Sequence, residues 1–125
     1  MYQVQHVMTK GVVAVHPETS IDEAISIILD HQISGLPVVD QDGQVLGVIS
    51  EVDIIELVYQ SDIASSTVGD HMTREIKTLD VESSLDDAAG LLSQRTLRRI
   101  PITEQGRLAG IVSRRDLIRF LRGLG

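Results

Sequence analysis

Two short stretches of the sequence carry a serine and an aspartate at the same spacing. GVISEVDI contains Ser50-x-x-Asp53, and GIVSRRDL contains Ser113-x-x-Asp116. Each serine follows an aliphatic run and precedes a helical pattern, which predicts a helix N-terminus, where serine and an acid three residues later form a cap. The same arrangement also suits ligand binding. A helix N-terminus attracts phosphate, and an ionised aspartate accepts hydrogen bonds from vicinal sugar hydroxyls.

Arginine pairs distinguish the second stretch from the first. Arg98-Arg99 and Arg114-Arg115 stand where the first half of the chain has Ser-Gly and Glu-Val. Arginine suits phosphate because its planar fork donates two hydrogen bonds at once. We therefore hypothesise that the site of Asp116 binds nucleotide more strongly and that its arginines hold the phosphates. Alternatively, these arginines form a solvated face or pair with acids of the first half.

Composition excludes several classes of protein. The net charge of −7 and the near absence of aromatic residues argue against a nucleic-acid binder. No apolar run approaches the roughly 18–20 residues of a membrane span, and the first residues lack the apolar core of a signal peptide. The chain has no cysteine, and its four histidines lack the spacing of metal ligands. We expect a cytoplasmic protein without a metal site.

The chain is an internal repeat, which explains the duplicated stretch. An offset of 64, which becomes 63 after a turn near residues 104–105, aligns the two halves over nearly their whole length. We place repeat 1 at 1–60, a Ser-rich linker at 61–67 and repeat 2 at 68–125. Identical pairs include Val4/Val68, Met8/Met72, Thr9/Thr73, Ser20/Ser84, Pro37/Pro101, Gly47/Gly110, Ser50/Ser113 and Asp53/Asp116.

Each repeat carries the same signals of secondary structure. Short β-rich stretches at 12–15 and 76–79 precede capping-box serines, Ser20 and Ser84, and apolar residues then recur at helical spacing. Two aliphatic runs around a polar turn follow, and final helices are predicted at 51–60 and 114–122. We therefore predict a mixed α/β (α+β) fold of two β-α-β-β-α repeats. One such repeat would be marginal alone, so we expect a pseudo-two-fold intramolecular pair with equivalent clefts between the halves.

The stretches MTKGVVAVHPETSIDEA and SGLPVVDQDGQVLGVIS, with the glycine–aliphatic–aliphatic–Ser–x–x–Asp ending, resemble the cystathionine-β-synthase (CBS) domain. The resemblance covers essentially all of the chain as a tandem pair, or Bateman module, of the stand-alone kind. It implies a regulatory module that binds AMP, ADP or ATP in the cleft between repeats, with S-adenosylmethionine a less favoured ligand. In that family the aspartate contacts the ribose hydroxyls, and the hydroxyl side chain lies near phosphate.

Matching positions give two sets of candidate nucleotide-binding residues. In repeat 2 they are Arg74, Ile76, Lys77, Arg98, Arg99, Ile100, Pro101, Ser113, Arg115 and Asp116. In repeat 1 they are Lys10, Val12, Val13, Gly35, Leu36, Pro37, Ser50 and Asp53. The aliphatic members would sandwich the base, although plain core packing explains any single one of them. Glycines 47 and 110 allow close approach of a ligand or mark a bulge.

Partners follow from the resemblance and from two apolar helix faces. We expect an adenosine nucleotide, a homodimer and an unidentified regulated protein as partners, with no membrane and no nucleic acid. The alternative is a ligand-free structural module that dimerises or docks on a partner through faces of DIIELVY and LIRFLRGLG. We expect no enzyme, no catalytic residue and no obligatory cofactor, because no nucleophile with an activating partner is visible.

Overall fold

The computed structural model describes residues 2–60 and 63–124, so two residues of the Ser-rich linker lie outside it. The chain forms two compact units that do not coincide with the sequence repeats. The central unit comprises Val13–Ile76, and the terminal unit comprises Met1–Val12 together with Lys77–Gly125. The Met-Thr segment that opens each repeat thus belongs to the unit containing the strands and final helix of the other repeat.

The central unit packs helices on a small antiparallel sheet. Helix α1 (Ile21–His31) is followed by the hairpin β1 (Gly35–Val39) and β2 (Val45–Ser50). Helix α2 (Glu51–Ile55) continues into a 3-10 turn, and α3 (Val68–His71) follows the linker. Isolated bridges join Val15 to β1 and Thr73 to β2. The buried core of this unit consists of Val15, Ile21, Ala24, Ile28, Leu36, Val38, Ile49, Leu57 and Val68.

The terminal unit repeats this plan with segments from both ends of the chain. Strand β3 (Leu79–Asp80) pairs in parallel with β4 (Arg99–Glu104), which pairs antiparallel with β5 (Arg107–Ser113). Helix α4 (Leu85–Leu92) precedes β4, and α5 (Arg114–Leu124) follows β5 directly. Thr9 forms a bridge with Ile111 on the free side of β5. The core consists of Val4, Val81, Ala88, Leu92, Ile100, Ile102 and Val112.

The predicted mixed α/β fold is confirmed, whereas the first strand of each repeat is shorter than predicted. The stretch 12–15 pairs only at Val15, which bridges Val38, and 76–79 contributes β3 from Leu79 onward. The partner strands explain this, because Pro37 and Pro101 have no N–H with which to extend the ladder backward. Prediction from the repeats missed α3 and the matching 3-10 turn Val4–His6.

Both predicted helix starts are capped by serine. The Ser20 hydroxyl oxygen accepts from the backbone N–H of Glu23 at 3.1 Å, and that of Ser84 accepts from Asp87 at 3.1 Å. In the part of the chain that the structure describes, no helix has both the length and the apolar character to cross a bilayer.

Candidate functional site

The Asp53 cluster, formed by Ser50, Asp53 and Thr73, lies in the central unit where β2 ends and α2 begins. One carboxylate oxygen of Asp53, Oδ2, accepts from the Ser50 backbone N–H at 2.8 Å and from the Ser50 hydroxyl at 2.9 Å. The other oxygen, Oδ1, accepts from the Thr73 hydroxyl at 2.9 Å. The Ser50 oxygen in turn accepts from the Asp53 N–H at 3.4 Å, which completes a reciprocal cap.

The Asp116 cluster, formed by Thr9, Ser113, Asp116 and Arg119, occupies the equivalent place in the terminal unit. Asp116 Oδ2 accepts from the backbone N–H and hydroxyl of Ser113 at 2.8 and 3.0 Å. Oδ1 accepts from the Thr9 hydroxyl at 3.0 Å and from Arg119 Nη1 at 3.1 Å. Asp116 is 6% exposed and is the one charged residue among the buried side chains of the described chain.

A threonine from the other repeat therefore completes each serine–aspartate cap. Thr73 exchanges backbone hydrogen bonds with Val48 at 2.8 and 2.9 Å, and Thr9 does the same with Ile111 at 2.8 and 3.0 Å. These short ladders hold the threonine hydroxyl over the aspartate that follows the strand. The capping interpretation of Ser-x-x-Asp thus describes real contacts in both units.

The boundaries between the two units fall within the candidate residues that follow each Met-Thr pair. Lys10 and Val12 lie in the terminal unit with Asp116, and Val13 lies in the central unit. Arg74 and Ile76 lie in the central unit with Asp53. Lys77, assigned with them to the repeat 2 site, lies in the terminal unit. The structure therefore brings Arg74 and Ile76 into the unit of Ser50 and Asp53, and not into that of Ser113 and Asp116.

The candidate residues at the start of β1 and β4 are largely buried. Leu36 and Ile100 are 1% and 0% exposed and belong to the two cores, as the packing alternative predicts. Gly35 pairs with Ser50, and Arg99 pairs with Ser113, so each of these strands begins beside the serine of a cluster. Pro37 and Pro101 are also buried.

The arginines of the second half have different environments. Arg114 donates to three backbone carbonyls, those of Leu92 at 2.8 Å, Gln94 at 2.6 Å and Leu97 at 3.2 Å. It therefore fastens the loop between α4 and β4 to α5. Arg98 and Arg115 are exposed, and no hydrogen bond to either side chain occurs within the described residues. Neither alternative from the sequence predicted the carbonyl contacts of Arg114.

Two kinds of site residue were missed by sequence reasoning. Thr9 and Thr73 appeared as an identical pair in the repeat, but nothing local showed which aspartate each would contact. Arg119 stands three residues after Asp116, a helical spacing that indicates an ion pair and could have been used. Within the described residues, no group of three or more histidine, aspartate or glutamate side chains is arranged to hold a metal ion.

Comparison with protein families matches the CBS domain twice, over residues 4–60 and 68–123. The CBS domain-containing protein YhcV of Bacillus subtilis is 35% identical over 118 residues, which cover 94% of this chain and 84% of that protein. The chain spans between 42% and 84% of the first curated relatives that it matches. Other relatives include enzymes, of whose length the chain matches 23%.

Solved structures give the same result. CBSX2 of Arabidopsis thaliana, solved in complex with AMP, has a TM-score of 0.90 and 31% identity, with 99% of this chain and 98% of that chain covered. The CBS domain pair of protein MJ0100, solved with 5-methylthioadenosine and S-adenosyl-L-methionine, has a TM-score of 0.83 and 28% identity. The similarity covers 100% of this chain and 99% of that one.

Proposed function

We propose that this chain, which belongs to the CBS domain family, is a regulatory module that binds an adenosine nucleotide. AMP, ADP and ATP are the favoured ligands, and S-adenosylmethionine is less favoured. No bound cofactor is required, and the module catalyses no reaction. A cytoplasmic location is part of the proposal and rests on the absence of cysteine.

The observation that carries the proposal is the duplicated carboxylate at the start of a helix. Asp53 and Asp116 are each oriented by serine and threonine donors, so their positions are fixed before any ligand arrives. A carboxylate has about four acceptor sites and no donor, which matches a pair of vicinal ribose hydroxyls. Fixed acceptors lower the ordering cost of binding. The AMP complex of CBSX2 and the adenosyl ligands of MJ0100 support adenosine as the ligand class.

Basic residues of the terminal unit would hold the phosphates. Arg98 precedes β4 and Arg115 lies in the first turn of α5, and both are exposed. Arg99 is half-buried and begins β4 opposite Ser113. Lys10 and Lys77 lie in the same unit and are exposed. In the central unit, Arg74 is the exposed cation nearest in sequence to Thr73, and it donates to the Gly69 carbonyl at 3.4 Å. Arg99→Ala should therefore weaken the binding of AMP and ATP more than the binding of adenosine.

Thermal unfolding with each ligand tests the proposal. AMP, ADP, ATP, S-adenosylmethionine and inorganic phosphate are added to the wild type, Asp53→Asn and Asp116→Asn. Asp86→Asn is the matched control, because Asp86 is an exposed acid in the first turn of α4. A ligand at about 100 times its Kd stabilises a fold by roughly 2.7 kcal/mol, a shift of several degrees. We expect such a shift with an adenosine ligand, absent with phosphate, retained in Asp86→Asn and reduced in each cluster variant. No shift with any of these compounds contradicts the proposal.

A second candidate function is association through apolar helix faces. On α5, Ile118, Leu121 and Leu124 are spaced three residues apart, and all are at least 60% exposed. In the central unit, Ile55 ends α2, Val58 and Tyr59 lie in the 3-10 turn that follows, and all three are likewise exposed. Exposed apolar groups of this kind mark interaction sites. This observation favours a homodimer, or docking on a regulated protein, with or without nucleotide.

Sedimentation velocity tests this second candidate. The double variant Ile118→Glu/Leu121→Glu should convert a dimer to a monomer, because two charges would be buried without partners. Leu29→Glu is the control, since Leu29 is 69% exposed on α1 and belongs to neither of these two apolar groups. A wild type that sediments as a monomer at all concentrations contradicts homodimerisation.

A further inference from the structure

The two clusters differ at one oxygen of the aspartate. Among the described residues, Asp53 Oδ1 accepts from the Thr73 hydroxyl alone, so the Asp53 carboxylate accepts three hydrogen bonds there. Asp116 Oδ1 accepts from the Thr9 hydroxyl and from Arg119 Nη1, which gives Asp116 four. A carboxylate has about four acceptor sites, so the described donors leave one site at Asp53 and none at Asp116.

The difference follows from one position in the repeat. At the offset of 63, Arg119 corresponds to Glu56, which follows α2 in the central unit. Arginine donates to the carboxylate and partly neutralises it, whereas glutamate has no donor when ionised and can only repel it. Arg119 therefore adds a cationic donor to the aspartate of the Asp116 cluster. Among the described residues, no side chain adds one to the aspartate of the Asp53 cluster.

Geometry also allows Arg119 to be displaced. Its side chain is 62% exposed, while that of Asp116 is 5% exposed, and the ion pair joins residues three apart on α5. Because the guanidinium already lies mostly in solvent, it can swing away from the carboxylate without unfolding the helix. The other donors cannot be replaced so easily, because Ser113 and Thr9 are fixed by backbone hydrogen bonds.

We propose that Arg119 is a specificity-determining residue that competes with ligand hydroxyls for Asp116 and so makes the two clusters unequal. This inference rests on the proposed function, in which each aspartate accepts from a ribose diol. At Asp53 one acceptor site is available to the first hydroxyl, whereas at Asp116 a hydroxyl must first displace Arg119. A diol therefore contributes more to binding at Asp53. If all other contacts of the ligand are equal, the ligand occupies the Asp53 cluster at a lower concentration than the Asp116 cluster. The arginine pairs of the second half, considered alone, predict the opposite, namely tighter binding at Asp116.

Nuclear magnetic resonance can follow both clusters in one protein. The backbone amides of Ser50 and Ser113 each donate to the aspartate of their own cluster, so each reports on one site. Labelled wild type, Arg119→Ala and Arg122→Ala are titrated with AMP and with 2′,3′-dideoxy-AMP. The readout is diol discrimination, the ratio of the dideoxy-AMP Kd to the AMP Kd at each amide. Both ligands carry the same phosphate, so phosphate contacts cancel in this ratio. A structural change that weakens both ligands equally also leaves the ratio unchanged.

In the wild type, the diol discrimination reported by Ser50 should exceed that reported by Ser113. Arg119→Ala should raise the Ser113 ratio about three- to fivefold, in line with an ion pair of up to about 1 kcal/mol, and leave the Ser50 ratio unchanged. Arg122→Ala is the matched control, an exposed arginine one turn further along α5, and should change neither ratio.

The possible failures are distinguishable. An unchanged or lower Ser113 ratio in Arg119→Ala, with AMP binding intact, overturns the role of Arg119 and leaves the proposed function standing. If AMP shifts neither amide in any variant, the proposed function fails, and the role of Arg119 fails with it.

Discussion

Gly47 and Gly110 lie where a neighbouring chain segment passes too close for a side chain. A Cβ at Gly47 would overlap the Thr73 carbonyl oxygen, and a Cβ at Gly110 would lie 2.8 Å from the Thr9 carbonyl oxygen. Each glycine also follows a register shift in its hairpin. The close approach that these glycines permit is therefore that of the threonine segment, which in turn holds the hydroxyl on the aspartate.

Gly47→Ala should destabilise the protein by about 2 kcal/mol, because either the Thr73 backbone or β2 must move. Gly90→Ala is the opposite case. Gly90 lies within α4 with nothing near its missing Cβ, so alanine should stabilise the helix by about 0.5–1 kcal/mol. Urea unfolding of both variants measures the difference. A neutral Gly47→Ala would contradict the tight contact with Thr73.

Among the elements, those with local signals were predicted and those fixed by distant contacts were not. Helices α1, α4 and α5 and both hairpins follow from apolar periodicity, serine caps and polar turns. Helix α3 has only four residues, too few for a periodic signal. The serine–aspartate half of each cluster was predicted because its residues are three apart. The threonine half was not, because a local pattern carries no information about which strand edge the Met-Thr segment joins.

Helix α3 gives a prediction for pH dependence. The Thr67 backbone N–H donates to the Asp70 carboxylate at 3.0 Å, and this bond, followed by that of the Thr67 side chain, lowers the pKa of Asp70 below its ordinary 3.8. A lowered folded-state pKa contributes stability above the unfolded pKa, and that stability is lost as pH falls through the folded pKa.

Wild type should therefore be more stable than Asp70→Asn at neutral pH, and the difference in unfolding free energy should shrink below about pH 4. Urea unfolding of the two proteins between pH 7 and pH 3 measures it. A difference that stays constant across this range would mean that the Asp70 charge does not stabilise the start of α3.

On the scale of the whole molecule, the two units exchange their first segments. Val4 lies in the core of the terminal unit, whose other buried members fall between residues 81 and 112, and Val68 lies in the core of the central unit. These valines occupy equivalent positions in the repeat, and both are fully buried. Each repeat thus supplies one core residue to the unit that contains the strands of the other.

Val4→Ala and Val68→Ala form a matched pair that tests this exchange. Each should cost about 2 kcal/mol through lost burial and a residual cavity. Val4→Ala should raise amide hydrogen exchange in α4 and β5, and Val68→Ala should raise it in α1 and β1. If each valine instead protected the amides of its own sequence repeat, the exchange of segments would be wrong.

The exchange of segments also sets the order in which the two units can fold during synthesis. Thr73 and Asp53 are 20 residues apart, so the central unit can close its cluster soon after residue 76 leaves the ribosome. Thr9 and Asp116 are 107 residues apart, so the segment around Thr9 cannot pair until β5 has been synthesised. Contacts of such high sequence separation form slowly. The segment around Thr9 is therefore synthesised long before its partner strand, and it is among the last parts of the terminal unit to fold.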